Sequence, residues 1–70
     1  MNKVIEIISQ VLGTPVDASS SMENVETWDS FNHVMIMIEL KSEFDLKINQ
    51  DEFEKLTSVL SIVAKVGDKA

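Results

Sequence analysis

Trp28-Asp29-Ser30-Phe31 opens the most apolar stretch of the chain, Val34-Met35-Ile36-Met37-Ile38, and the reading of residues 28–44 decides the fold. A short acid and a hydroxyl stand directly before a run with helical periodicity, and either Asp29 or Ser30 can offer its side-chain oxygen to the orphan N–H groups of a first turn. The spacing predicts a helix from there to about Phe44. Placed on a 3.6-residue period, its apolar residues separate into two stripes. Ile36, Met37, Leu40 and Phe44 persist to the helix end and are assigned to the core. Phe31, Val34, Met35 and Ile38 stop at Lys41 and Ser42, and are assigned to a surface beside Ser30. An apolar stripe on the outside of a small domain marks a contact site.

Outward from this helix, both flanks repeat the pattern. Val4, Ile5, Ile8, Val11 and Leu12 recur at helical spacing over Asn2 to Leu12, with Asn2 as a candidate cap. Gly13-Thr14-Pro15 ends that helix, because glycine suits the residue past a C-terminus and proline cannot continue one. Residues 16–27 carry Asp17, Ser19, Ser20, Ser21 and Asn24, and read as a long ordered loop anchored by Val16, Met22 and Val25. Such a loop is uncommon in a small domain unless it is functional or crosses between distant helix ends. On the other flank Asp45 to Ile48 reads as a short extended link with Leu46 and Ile48 pointing inward. Asn49 is placed to cap a brief helix from Gln50 to Leu56 anchored by Phe53 and Leu56. Thr57 or Ser58 caps a last one carrying Val59, Ile62, Val63 and Val66, and residues 67–70 read as a frayed end. The expected fold is an all-α four-helix bundle, three main helices plus a short third, with a long loop between helices one and two.

Composition bounds the rest. Seventy residues make one domain; a chain of this size buries only about 60% of its unfolded surface. At 44% hydrophobic against 26% charged residues it is too apolar for disorder. There is no cysteine, hence no disulfide framework or thiolate metal site, and helix packing must supply the stability. No apolar run reaches the ~18 residues of a membrane span, and the N-terminus has no signal-peptide pattern, so a cytoplasmic protein is expected. The net charge of −6 repels phosphate backbones, which argues against nucleic acid and suits basic partner surfaces.

Several residues invite specific chemistry. A calcium loop ending at Glu52 would put Lys41 at its first position and Leu46 at its sixth, where an acid and a glycine are required; that reading fails. His33 is the only histidine, with no cysteine or second histidine to complete a metal site, and a surface or half-buried helix histidine is expected. Ser30 and His33 stand three apart on one helix, but a hydrolase also needs an oriented base, an oxyanion site and a substrate pocket, which a chain of this size is expected to lack. No catalytic and no metal residues are therefore assigned. Trp28 reads equally as a staple on the first helical turn or as a ligand contact, and Ser30 on chemistry alone is equally a plain cap.

The residues Asp29-Ser30-Phe31, then Val34, Ile36, Leu40, Glu43-Phe44-Asp45-Leu46 and Ile48, then Glu54-Lys55-Leu56-Thr57-Ser58-Val59, resemble the acyl carrier proteins. Those proteins have an Asp-Ser-Leu attachment motif followed by a helix ending in Glu-Glu-Phe-type residues. The correspondence runs without a gap from Trp28 to about Val66, over a single stand-alone carrier domain. The resemblance implies that Ser30 carries a covalent 4′-phosphopantetheine arm whose thiol holds acyl or aminoacyl groups as thioesters. It implies that Asp29 caps the helix and is recognised by a phosphopantetheinyl transferase, and that Phe31, Val34, Met35 and Ile38 dock partner enzymes. Those partners would be the transferase, an acyl- or aminoacyl-loading ligase, and acyltransferase or synthase enzymes, with the carrier itself a monomer and not an enzyme.

Phe31 stands where leucine is commoner, as in carriers resembling the D-alanyl carrier, and Met35 where fatty-acid carriers often have an acid. Trp28-Asp29-Ser30 also differs from Gly-Ala-Asp-Ser. These departures point from fatty-acid synthesis toward specialised polyketide, peptide, lipid-modification or surface-polysaccharide pathways. The competing expectation is a carrier-like interaction module that docks partners through helix two with no prosthetic group.

Overall fold

In the computed structural model, which describes residues 2–67, the first long helix α1 spans Asn2–Leu12 and ends where Gly13 adopts a left-handed φ of 69°. The conformation favours glycine, which has no Cβ to clash with the backbone. Helices α2 (Ser30–Phe44), α3 (Gln50–Phe53) and α4 (Val59–Val66) follow. α1 lies against α2 and α4, and α3 against α2. The fold is thus a small all-α bundle. The capping expected of the Asn2 side chain, and the frayed end beyond Gly67, lie outside the described residues.

The core is built from the helical stripes. Val4, Ile7, Ile8 and Leu12 of α1 meet Ile36, Met37 and Leu40 of α2 and Val59, Ile62 and Val66 of α4, all buried. Each such side chain contributes about 1.5–3 kcal/mol on leaving water. The two stripes of α2 divide as their spacing predicts: Phe44 packs on the core with the first, while Phe31, Val34, Met35 and Ile38 are 38–74% exposed. On α1 the division differs from expectation. Ile7 is buried, while Ile5 and Val11 are only partly so; α1 meets α4 as well as α2.

The helix ends are closed by local chemistry. Asp29 caps α2 by accepting from the Asn32 N–H at 2.9 Å, and the Asn32 amide donates to Thr27 O at 2.8 Å. Ser58 caps α4 in a reciprocal box with Ser61. Asn49 occupies the cap position of α3 with no side-chain bond. Two expectations need correction. α3 stops at Phe53 rather than Leu56, because the Lys55 and Leu56 N–H groups both return to Glu52 O and close the turn. The link after α2 is not extended throughout, since Asp45 is left-handed at φ 52°, with its N–H and that of Leu46 on Lys41 O. Leu46 and Ile48 do point inward.

The loop over 16–27 is ordered by its own side chains. Asp17 Oδ1 accepts from the Ser19 N–H at 2.9 Å and the Ser19 hydroxyl at 2.6 Å, and these bonds hold the Asp17 carboxyl below its usual pKa. Val16, Met22 and Val25 anchor it as expected. It is also tied to the α3–α4 link, which the sequence pattern did not indicate. Met22 N–H donates to Thr57 O at 2.9 Å and Val59 N–H to Ser20 O at 3.0 Å, pairing Ser21 with Ser58 in an isolated antiparallel bridge. Among the described residues, two ion pairs join helices at the surface: Lys3 with Glu43 at 3.3 Å, and Lys65 with Glu52 at 2.7 Å.

Candidate functional site

Ser30 is the first residue of α2 and is exposed. Its position follows from the cap beside it: Asp29 takes the Asn32 N–H with its side chain and the His33 N–H, at 2.8 Å, with its carbonyl. That leaves the N–H groups of Ser30 and Phe31, which an α-helix supplies with no internal acceptor. A hydroxyl at this place stands at the positive end of the helix dipole, where a negative charge is favoured.

A groove of about 400 Å³ opens beside Ser30. Its apolar wall is Met22 from the long loop, Val34 from α2 and Phe53 from α3. Ser30 and His33 with Gln50, Glu54 and Thr57 supply its polar groups. The loop reaches the groove because the Met22 to Thr57 bond pins it there. The expectation that so short a chain has no pocket of substrate size is corrected: pockets that hold small molecules run from about 300 Å³ upward. Parts distant in sequence meet here, which local periodicity does not reveal.

His33 is buried, 6% exposed, and not at the surface or half-buried as expected. The indole of Trp28, itself 2% exposed, donates from Nε1 to His33 Nδ1 at 3.0 Å, and the ring centroids lie 6.1 Å apart. An indole nitrogen only donates, so Nδ1 is the acceptor and Nε2 carries the proton. Nε2–H then donates to Phe53 O at 2.5 Å. With Asp29 as the cap, Trp28 and His33 hold the two positions that a hydrophobic staple joins around a helix start. Trp28 is thus a staple as one reading had it, but made by a hydrogen bond between rings. Breaking the chain would strand buried polar groups at about 1–3 kcal/mol each.

This arrangement bears on the chemistry available. Both ring nitrogens of His33 are engaged, by Trp28 and by Phe53, so neither is presented to Ser30 as a base. No group of three or more metal-ligating side chains occurs among the described residues. Asp29, Ser30, Phe31, Val34, Met35 and Ile38 form one continuous exposed surface on α2, an acid and a hydroxyl at its head and apolar side chains below. No helix among the described residues is long and apolar enough to cross a membrane.

A small all-α bundle presenting a serine at a helix start, beside a groove and an apolar strip, is the class that fold and site define. Compared with known proteins, the chain matches no family model and no curated protein.

Proposed function

We propose that the chain is an acyl carrier protein, modified at Ser30 with 4′-phosphopantetheine and delivering acyl or aminoacyl groups to partner enzymes in a specialised biosynthetic pathway. The observation that carries this reading is the exposed Ser30 hydroxyl at the capped start of α2, at the mouth of the groove. A phosphodiester fits this place because the free N–H groups of the first turn favour an anion. Ser30 would hold the arm covalently, with Val34 and Thr57 lining the groove beside it. When bound, the arm supplies a thiol, which the chain lacks, to carry cargo as a thioester. Asp29 orders the helix start and offers a carboxylate to a basic transferase, while Phe31, Val34, Met35 and Ile38 give loading and consuming enzymes an apolar strip. Incubation with coenzyme A and a broad-specificity phosphopantetheinyl transferase should add one phosphopantetheinyl mass, lost in Ser30→Ala. An unmodified wild type across several transferases would defeat the proposal.

A second reading rests on the exposure of that strip: an interaction module docking partners through α2 without an arm. It predicts native protein with no added mass. It also predicts function that survives Ser30→Ala and fails in Met35→Glu or Ile38→Glu.

A further inference from the structure

We infer that His33 keeps long acyl chains out of the interior of the bundle, by closing the floor of the groove beside Ser30, so that the groove alone is open to the cargo. The inference rests on the carrier reading above. His33 lines the groove and is also the first member of the stripe that continues as Ile36, Met37 and Leu40, all buried in the core. It therefore stands between the space next to Ser30 and the interior of the bundle. An aliphatic chain passing from the groove toward those core residues would meet its ring.

The imidazole does not yield easily. Its two nitrogens tie Trp28, just ahead of the cap, to the end of α3 at Phe53 O. Displacing it would leave the buried Trp28 N–H and both ring nitrogens without partners, while the first methylenes admitted would recover only their own apolar burial. Behind it Ile36, Met37 and Ile62 are essentially inaccessible. What remains for cargo is the groove itself, at about 400 Å³ near the small end of ligand pockets. The side chains of Gln50 and Thr57 on its wall can hydrogen-bond a polar or amino-bearing group.

The test loads the full chain with acetyl, butyryl and dodecanoyl groups from the corresponding acyl-coenzyme A. The transferase forms the Ser30 Oγ–phosphorus bond and breaks the pyrophosphate bond, releasing adenosine 3′,5′-bisphosphate. Intact mass verifies loading, the Trp28 indole N–H resonance reports the floor of the groove, and thioester cleavage by hydroxylamine reports shelter. In the wild type the indole signal should stay in place as the chain lengthens, and cleavage should agree within about twofold across the three. A dodecanoyl thioester cleaved about tenfold more slowly than acetyl, which means ~90% of it sheltered, with a displaced indole signal, would overturn the inference and leave the carrier reading standing. Absence of any added mass would overturn both. Trp28→Phe/His33→Ala, which removes the indole donor together with the ring that closes the floor, should shelter the dodecanoyl group. If it folds and its cleavage stays independent of chain length, His33 is not what excludes the chain.

Discussion

His33→Ala is expected to destabilise the protein by about 2–5 kcal/mol. The substitution removes a ring that is 6% exposed and bonded on both sides, to Trp28 Nε1 at 3.0 Å and to Phe53 O. The stranded indole N–H, on a residue 2% exposed, costs about 1–3 kcal/mol. Lost burial of the ring adds about 1–2 kcal/mol. The Phe53 carbonyl belongs to a half-buried residue and regains water, so it adds little. A chain of 70 residues has about 4–10 kcal/mol of total stability, so a large part is at stake. In urea, with a slope of about 1 kcal/mol/M for a protein this small, the midpoint should fall by roughly 2 M or more at unchanged slope. Trp28 is the only tryptophan, so its fluorescence follows unfolding and also reports the lost bond in the folded state. Phe31→Ala, at 74% exposure, is the control and should stay within about 0.5 kcal/mol. A His33→Ala protein as stable as that control, with the native tryptophan emission, would refute the claim that the bridge holds α2 to α3.

Ser58→Ala removes the acceptor of the Ser61 N–H at 3.1 Å and should cost about 1 kcal/mol, lowering the thermal midpoint by about 4–8 °C; calorimetry reads this directly. Asp45→Gly should stabilise by up to about 1 kcal/mol, measured by urea unfolding, because glycine relieves the left-handed φ of 52°. Acid titration of stability should lose a contribution from Glu52. Its carboxyl is held below its usual 4.5 chiefly by the hydrogen bond from Lys65. The native state therefore binds fewer protons, and the stabilisation is complete above about 4.5 and lost as pH falls through the depressed value. Glu52→Gln should flatten that part of the profile, and an unchanged acid limb would show that the pair contributes nothing to it.

The long helix illustrates how much is legible in the sequence. A cap at Asp29 or Ser30 (of which the structure uses Asp29), Phe44 as last residue and the separation of Ile36, Met37 and Leu40 from Phe31, Val34, Met35 and Ile38 all follow from cap chemistry and a 3.6-residue period. These are relations between residues at most a few turns apart. Ser30 too can be singled out from its place ahead of the apolar run, though its neighbours in space cannot.

What only the tertiary structure decided depends on residues far apart in the chain. The buried ring of His33 is satisfied because the Phe53 carbonyl, twenty positions on, accepts a hydrogen bond from it, and a polar ring on a helix carries no local sign of such a partner. α1 packs against both α2 and α4, and Ile7 lies in the shared core. The groove exists because Met22, Ser30 and Phe53 are brought together through the Met22 to Thr57 bond and the crossing of α3 against α2. The sequence by itself determined where the four helices lie, the short list of residues able to cap them and the two stripes of α2, since hydrogen bonds and side-chain period act along the chain. How the faces meet, and what they enclose beside Ser30, was decided only when distant segments shared the same space.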